Sequence, residues 1–316
     1  MAAEASMRET YGKTLVELGK SNPDIIVLDA DLSSSTQTKF FAKEFPGRFF
    51  NCGIAEQNMM GIAAGLAASG KTAFASTFAV FASSRCFDQV RWSIAQPERN
   101  VKIVATHAGV TVGEDGASHQ AIEDLSLMCA LPGFTVIVPA DAIETEQAVR
   151  YAASTLGPFY IRLPRLKSAL LYDKDYRFDL EKAVTMREGK DVTIIAMGLM
   201  VERAVKAADA LAGEGLDARV LNMHTLKPLD EDAVVKAARE TGAILTVEEH
   251  VRQGGLGSRV ATVVTESAPV PMSFINIEDC FSSSGQPEEL LAKHGLTAEN
   301  IVKETQKLVK RKISQS

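Results

Sequence analysis

The residue types that could do chemistry in this sequence are one carboxylate, two aromatic rings and two imidazoles. Glu56 lies just after a tight turn, at the start of an apolar helix whose free amides and dipole favour an anion. Phe78 and Phe81 are three residues apart, and His107 and His119 lie beside and within a glycine-rich loop. Aromatic rings stack on a heterocycle, a carboxylate binds a ring nitrogen, and imidazoles move protons on a bound substrate. The combination indicates a site for a heterocyclic cofactor.

Taken alone, the segment around Glu56 permits two interpretations. A buried carboxylate is costly unless a polar group meets it, which favours a ligand. A glutamate that only complements the helix dipole would give the same local pattern. The helix that follows has almost no side-chain bulk, so another backbone can approach it closely. Its small residues are Gly61, Ala63, Ala64, Gly65, Ala67 and Ala68.

The loop of residues 109–120 is a second candidate for function. It contains glycines, acids and an imidazole, and glycines permit backbone turns that other residues avoid. Loops of this length without regular structure inside a domain are usually functional. A solvated surface loop is the alternative.

Short apolar runs, separated by helical patterns, must position these residues. Such runs are typical of strands buried on both faces of a parallel sheet, and we predict them at residues 25–28, 48–51, 72–76, 101–105, 136–138 and 160–165. Ligands bind at the carboxyl ends of such strands, where the acids and serines of residues 29–35, His107 and Arg165 occur. A helix-capping cluster is the alternative for the serines. We predict Phe78 and Phe81 on one face of a helix that runs to about residue 95, with a core stripe as the alternative.

The alternation of strands and helices predicts an α/β protein with two doubly wound domains. Residues 1–170 form the first domain, with a mostly parallel sheet. Residues 171–190 change in composition and are predicted to be a linker, and residues 191–316 form a smaller carboxyl-terminal α/β domain.

Composition and charge narrow the classes of function. The chain has 316 residues, of which 46% are apolar and 23% charged, as in an ordinary globular protein. Its net charge of −6 argues against nucleic acid, and no basic run suggests a membrane surface. Cys52, Cys86, Cys129 and Cys280 are far apart, which argues against a zinc site or redox dithiol. With no signal pattern and no run long enough to span a bilayer, we expect a cytoplasmic protein without metal ligands of its own.

Three motifs resemble the carboxyl-terminal half of transketolase, a family built on thiamine diphosphate. They are Gly53-Ile-Ala-Glu-Gln-Asn58, Thr77-Phe-Ala-Val-Phe81 and Gly113-Glu-Asp-Gly-Ala-Ser-His-Gln120. The resemblance covers essentially the whole chain. The chain resembles the separately encoded subunit that carries the pyrimidine-binding domain and the small carboxyl-terminal domain. The resemblance implies transfer of a two-carbon ketol unit from a ketose phosphate to an aldose phosphate.

The resemblance also implies roles for individual residues at the cofactor. Glu56 matches the glutamate that hydrogen-bonds the aminopyrimidine ring and favours its imino tautomer, in an apolar pocket where no other group competes for the ring nitrogen. Phe78 and Phe81 match the aromatic residues that pack on the pyrimidine. Ile54 matches an apolar contact to the cofactor, and Asp31 matches an acid near it.

On the substrate side, the resemblance assigns two sets of residues. His119 and Asp115 match those that meet the hydroxyls and developing alkoxide of the ketose. The residues that match a sugar-phosphate site are Arg8, Ser35, His107 and Arg165. Two positions depart from the family pattern: Ser84 replaces a third aromatic residue in the pocket wall, and residues 117–118 are Ala-Ser where the family has Pro-Thr.

One family motif is missing from the chain. Gly-Asp-Gly followed by an asparagine, which binds magnesium and the diphosphate, does not occur, and residues 113–116 have no asparagine at a suitable distance. The resemblance therefore implies an amino-terminal partner subunit that supplies the Mg²⁺ site, with the cofactor bound across the interface. It also implies a second copy of this chain in the assembly, with the small-residue helix packed between subunits.

Three other functions fit parts of the pattern. The beta subunit of a 2-oxo acid dehydrogenase decarboxylating component shares the architecture and a similar Ala-Glu-Gln. Deoxyxylulose phosphate synthase has a similar loop but is usually one long chain. A non-catalytic regulatory subunit with the same fold is the third alternative. His107 and the loop of residues 113–119 suit a polyhydroxylated phosphate better than a short oxo acid.

Overall fold

The computed structural model describes residues 3 to 315, in which strands and helices alternate along the chain. The strands are β1 (Glu4–Ala5), β2 (Ile25–Asp29), β3 (Phe49–Asn51), β4 (Thr72–Phe78), β5 (Val101–Thr106), β6 (Thr135–Ile137), β7 (Phe159–Arg162), β8 (Ser168–Ala169), β9 (Val184–Arg187), β10 (Val192–Ala196), β11 (Ala218–Asn222), β12 (Thr225–Lys227), β13 (Ile244–Val251) and β14 (Met272–Ile277). The α-helices are α1 (Met7–Ser21), α2 (Ser33–Thr36), α3 (Lys39–Glu44), α4 (Glu56–Ala68), α5 (Phe87–Gln89), α6 (Asp124–Ala130), α7 (Ala142–Ser154), α8 (Met200–Gly213), α9 (Glu231–Thr241), α10 (Leu256–Ser267), α11 (Pro287–Lys293) and α12 (Ala298–Gln315).

The strands assemble into one large sheet, one smaller sheet and a two-stranded ribbon. The large sheet has seven strands in the order β12-β6-β7-β5-β4-β2-β3, and only β12 is antiparallel to its neighbour. The smaller sheet has the order β14-β13-β10-β11-β9, with β9 antiparallel. The ribbon pairs β1 with β8. The predicted α/β fold with a mostly parallel first sheet is confirmed.

The apolar runs form strands because both faces of the sheet are covered. Along β2, Ile26 and Leu28 pack in one apolar cluster, and Ile25 and Val27 pack in another on the opposite face. The first of these clusters continues across the chain to Val264, so the two sheets share part of their core. This shared core fixes the carboxyl-terminal part of the chain against the first sheet.

The prediction that Phe78 begins a helix is wrong. Strand β4 continues to Phe78, which pairs with Thr106 of β5, because the parallel ladder extends beyond the predicted end. The chain then turns through two π-helical segments, Phe81–Arg85 and Val90–Ala95, on either side of α5. Such turns often occur at functional sites.

Residues 171–190, predicted as a linker, are packed against the first sheet and contribute to the second. The backbone amides of Leu171 and Tyr172 donate to Asp141 at the start of α7, and residues 184–187 form β9. Strand β12 then returns to pair with β6 of the first sheet. Within residues 3 to 315, none of the helices is long and apolar enough to cross a membrane.

Candidate active site

The candidate site lies at the carboxyl edge of the first sheet. Phe78 ends β4, His107 follows β5 and Arg165 follows β7, and these strands are parallel neighbours. Asp31 follows β2, the neighbour of β4 on its other side. Because parallel strands end at the same edge of a sheet, residues far apart in sequence meet there.

Glu56 is the first residue of α4 and is 1% exposed. The Nη1 atom of Arg85 donates to both of its carboxylate oxygens, at 3.0 and 2.9 Å. The same guanidinium lies 4.2 Å from the centre of the Phe81 ring. The buried carboxylate at the start of α4 therefore has a charged partner within the chain itself.

Four rings form a cluster next to this ion pair. The rings of Phe78 and Phe81 are nearly parallel, with centres 5.9 Å apart. His107 stacks on Phe78 with ring centres 3.8 Å apart, and His119 meets Phe81 edge-on at 5.4 Å. We call these four residues the ring cluster. It brings the aromatic pair and both predicted imidazoles into one site.

The imidazole of His107 is held in a fixed and neutral state. The residue has a φ of 57°, and its Nδ1 is hydrogen-bonded to Thr106 Oγ1 at 2.9 Å. Burial, together with the nearby cations of Arg8 and Arg165, lowers the pKa of His107 to about 3. At neutral pH this histidine therefore has no charge, and the positive charge at this edge of the site comes from the two arginines.

Arg8 and Arg165 bring two cations to the edge of the ring cluster. Arg8 donates to the carbonyl oxygens of Ser35 at 2.6 Å and Arg165 at 2.9 Å. Burial lowers the pKa of Arg8, and the neighbouring Arg165 adds to this effect. The Nε of Arg8 is buried without a hydrogen-bond partner among the described residues. Two adjacent cations with a free N–H donor favour an anion.

The backbone that presents Ser35 is positioned by a buried acid. One oxygen of Asp29 accepts the amide of Leu32 at 2.6 Å, and the other accepts the hydroxyls of Thr36 and Thr38. Burial raises the pKa of Asp29, whereas these hydrogen bonds lower it. Asp29 is among the acids that the sequence places at the carboxyl end of a buried strand, but no role of its own was predicted for it.

The loop of residues 109–120 is attached to the carboxyl-terminal part of the chain. Glu114 accepts from Arg165 on one oxygen and from Gln286 on the other, each at 3.1 Å. The amide of Gln120 donates to the Ser283 carbonyl at 3.1 Å. Gly109 has a φ of 77°, and a Cβ there would collide with the carboxylate of Glu249. The loop is therefore ordered by contacts on both sides.

Three predicted residues lie at exposed margins of the site. Asp31 has a φ of 63° and exchanges two hydrogen bonds with the Asn51 side chain, at 2.9 and 3.1 Å. Ile54 is 80% exposed, and Asp115 is exposed on the loop. The Asp115 carbonyl accepts from Ser118, whose hydroxyl is 2.9 Å from His119 Nδ1. The geometry leaves these three side chains available to a bound molecule.

Ser84 is the position at which the resemblance implies a third aromatic residue. The side chain is exposed, and its hydroxyl donates to Glu123 at 3.3 Å.

Arg85, the next residue, was not predicted from the sequence to be part of the site. Its position four residues after Phe81 is the helical spacing at which side chains meet, and this could have indicated the contact.

A buried ion pair lies behind the loop. Arg162 donates to Asp124 at 2.9 and 3.2 Å, and Tyr160 donates to the same carboxylate at 2.7 Å. Arg162 also donates to the carbonyls of Ala121, just past the loop, and Glu249, on β13 of the second sheet, each at 3.1 Å. The pair thus joins the loop, the first sheet and the second sheet.

One face of α4 is exposed, and two of the five residues on it are glycines. We call this the bare face, formed by Gln57, Asn58, Gly61, Ile62 and Gly65. Ala63 and Ala64, which were expected between subunits, are instead buried in the core of this chain. A Cβ built at Gly61 or Gly65 would meet no atom within 4 Å. Since Glu56 begins the same helix, the bare face adjoins the site.

No metal centre is formed by the part of the chain that the structure describes. Among residues 3 to 315, no group of three or more His, Cys, Asp or Glu side chains is arranged to hold a metal ion.

Two family models match this chain, and both describe domains of transketolase. The transketolase pyrimidine-binding domain model matches residues 3–169, and the transketolase C-terminal domain model matches residues 181–301.

Individual relatives match over nearly their whole length. A putative transketolase C-terminal section of Methanocaldococcus jannaschii is 47% identical, with 94% of each chain covered. The 6-deoxy-6-sulfo-D-fructose transketolase subunit SqwH of a Clostridium species is 43% identical, with 97% of this chain and 95% of the relative covered. A solved structure described as a split gene transketolase, inactive beta4 tetramer, has a TM-score of 0.90 and 53% identity. It covers 96% of this chain and 98% of its own.

Proposed function

This chain belongs to the transketolase family, and we propose that it is the subunit of a split, thiamine diphosphate-dependent transketolase that binds the pyrimidine half of the cofactor. The observation that carries the proposal is the buried carboxylate of Glu56 beside the Phe81 ring. In this structure a flat guanidinium, that of Arg85, donates to the carboxylate and lies on the ring. A site that accepts a planar N–H donor in this way has the chemistry to bind an aminopyrimidine.

The residues present fit the cofactor. Glu56 would hold a proton at the pyrimidine ring nitrogen, Phe78 and Phe81 would pack on the ring, and Ile54 and Asp31 would meet it from the exposed margin. When bound, thiamine diphosphate supplies a nucleophilic carbon that carries the two-carbon unit. The chain contributes orientation and proton control, because a buried carboxylate keeps its hydrogen bond free from competition by water.

The proposed substrate site has one part for the sugar hydroxyls and another for the phosphate. His119 and Asp115 would bind the sugar hydroxyls, and His119 would stabilise the developing alkoxide. The phosphate would be held by Arg8, Arg165, the neutral His107 and the segment at Ser35. The unpartnered Arg8 Nε supports an anion at this position.

We propose that the remaining half of the site is on an amino-terminal transketolase subunit that carries the Mg²⁺ and diphosphate ligands. The names of the relatives, which describe a section, a subunit and a split gene, support a divided enzyme. The bare face would pack against another subunit, in an assembly that also contains a second copy of this chain. The proposed setting is the cytoplasm.

Replacing Gly61 with leucine is expected to separate folding from assembly. The isolated variant should be at least as stable as the parent, because the site is open and leucine favours helix over glycine by up to about 1 kcal/mol. Binding to the partner should weaken by about tenfold or more, since bulk is added to a close contact. Thermal unfolding and sedimentation with the partner measure the two effects.

Gly213→Leu is the matched control, because this glycine at the end of α8 also has open space around it. It should leave assembly unchanged. Unaltered assembly of the Gly61 variant would contradict the bare face as an interface.

Reconstitution tests the proposed function. The chain is mixed with the amino-terminal subunit, thiamine diphosphate and Mg²⁺, and transfer from a ketose phosphate to an aldose phosphate is followed. We expect activity only in the complete mixture, because this chain provides only one side of the cofactor site. Omission of each component in turn is the control.

Turnover by this chain alone would contradict the proposal that the active site is divided between two subunits. Absence of turnover by the complete mixture with every donor would contradict the proposed transketolase activity. The donor panel includes fructose 6-phosphate and 6-deoxy-6-sulfofructose, the latter because of the name of one relative. A 2-oxo acid is added to test the decarboxylating alternative.

A further inference from the structure

Arg85 satisfies both contacts that the proposed site offers to a heterocycle. Its Nη1 reaches both oxygens of Glu56, at 3.0 and 2.9 Å, and its guanidinium lies 4.2 Å from the centre of the Phe81 ring. A guanidinium is planar, has N–H donors at its edge and stacks on aromatic faces. It therefore resembles an aminopyrimidine in the features that these two side chains recognise.

The two cannot use the carboxylate at the same time. Glu56 is 1% exposed, so only a narrow approach to its oxygens remains, and Arg85 engages both of them. A heterocycle that hydrogen-bonds Glu56 must displace at least one of these contacts. The ion pair also serves the chain without cofactor, because a buried carboxylate without a partner would be costly.

Arg85 is able to leave without disrupting the fold. Its side chain is 44% exposed, and its contacts with Glu56 and Phe81 lie at the end of the π-helical turn Phe81–Arg85. Movement toward solvent loses a partly exposed ion pair and one ring contact. The backbone and the ring cluster need not change.

We propose that Arg85 is a built-in competitor for the cofactor: it occupies the pyrimidine site between Glu56 and Phe81 and is displaced when the pyrimidine binds. This inference rests on the proposed function. Because the competitor acts in the state without cofactor, it lowers the rate of cofactor association and has little effect on dissociation.

The test measures thiamine diphosphate binding to the assembled enzyme in the presence of Mg²⁺. Isothermal titration calorimetry gives the dissociation constant, and stopped-flow mixing gives the two rate constants. For Arg85→Ala we expect binding about tenfold tighter, through faster association, because the competing charged hydrogen bonds are removed. Arg85→Gln removes the charge but keeps a long polar side chain, and it should also bind thiamine diphosphate more tightly than the parent. This second variant keeps the test valid if the alanine variant does not assemble.

Arg91→Ala is the matched control, since Arg91 also lies over a ring, that of Trp92 at 4.5 Å, in the following π-helical segment. It should leave both rate constants unchanged. The proposal that Arg85 competes with the cofactor would be overturned if the parent and the Arg85 variants bound thiamine diphosphate with equal affinity. It would also be overturned if the variants bound more weakly because the cofactor dissociated faster. Absence of thiamine diphosphate binding by the parent assembly would contradict the proposed function. Binding by the parent that the Arg85 substitutions do not change would contradict only the role of Arg85, so the two failures are distinguishable.

Discussion

Replacing Glu56 with glutamine is expected to lower turnover of the assembled enzyme by about 10²–10⁴-fold. The reason is chemical, because an amide cannot hold the proton that a carboxyl group shares with the ring nitrogen. Glutamine has almost the same shape and can still accept from Arg85, so the fold should be preserved. Steady-state rates with a ketose phosphate donor, measured on the reconstituted enzyme at saturating cofactor, give the effect.

The matched control for this variant is Glu231→Gln. Glu231 is likewise the first residue of a helix, α9, but it is exposed and belongs to the second part of the chain. Its loss should leave turnover unchanged. A near-parental rate for Glu56→Gln would remove the central residue from the mechanism, whereas a lost rate together with lost assembly would indicate a structural role.

Replacing Asp124 with alanine is expected to destabilise the isolated chain by about 3–5 kcal/mol. The substitution leaves the buried cation of Arg162 without its carboxylate and removes the acceptor of Tyr160. The loss is large because the pair is buried and joins both sheets through the Ala121 and Glu249 carbonyls. Denaturant unfolding of the chain, followed by circular dichroism, measures it.

Two variants control for this effect. Asp232→Ala removes a carboxylate that is 96% exposed and should cost less than about 1 kcal/mol. The double variant Asp124→Leu/Arg162→Met removes both charges, and it should recover much of the stability because no unpaired charge remains. A single Asp124→Ala variant as stable as the parent would show that the pair contributes nothing net.

Much of the fold was predictable because it depends on local patterns. Apolar runs of strand length, separated by helical patterns, identified the parallel strands and placed Glu56 at a helix start. The ends were less well predicted, as Phe78 shows. Whether a strand continues depends on its neighbour, and the pairing of Phe78 with Thr106 involves a strand that comes later in the sequence.

The assembly of the site required the folded chain. Arg8 and Arg165 are 157 residues apart in sequence, yet the first donates to the carbonyl of the second. The pairing of Arg85 with Glu56, the attachment of the loop to Gln286 and the return of β12 to the first sheet likewise join distant segments. Residue types and spacing indicated which side chains could do chemistry. Their actual partners, and above all the arginine on Glu56, were decided by three-dimensional packing. Most buried polar groups are hydrogen-bonded, and the available partners are those that the fold brings within reach.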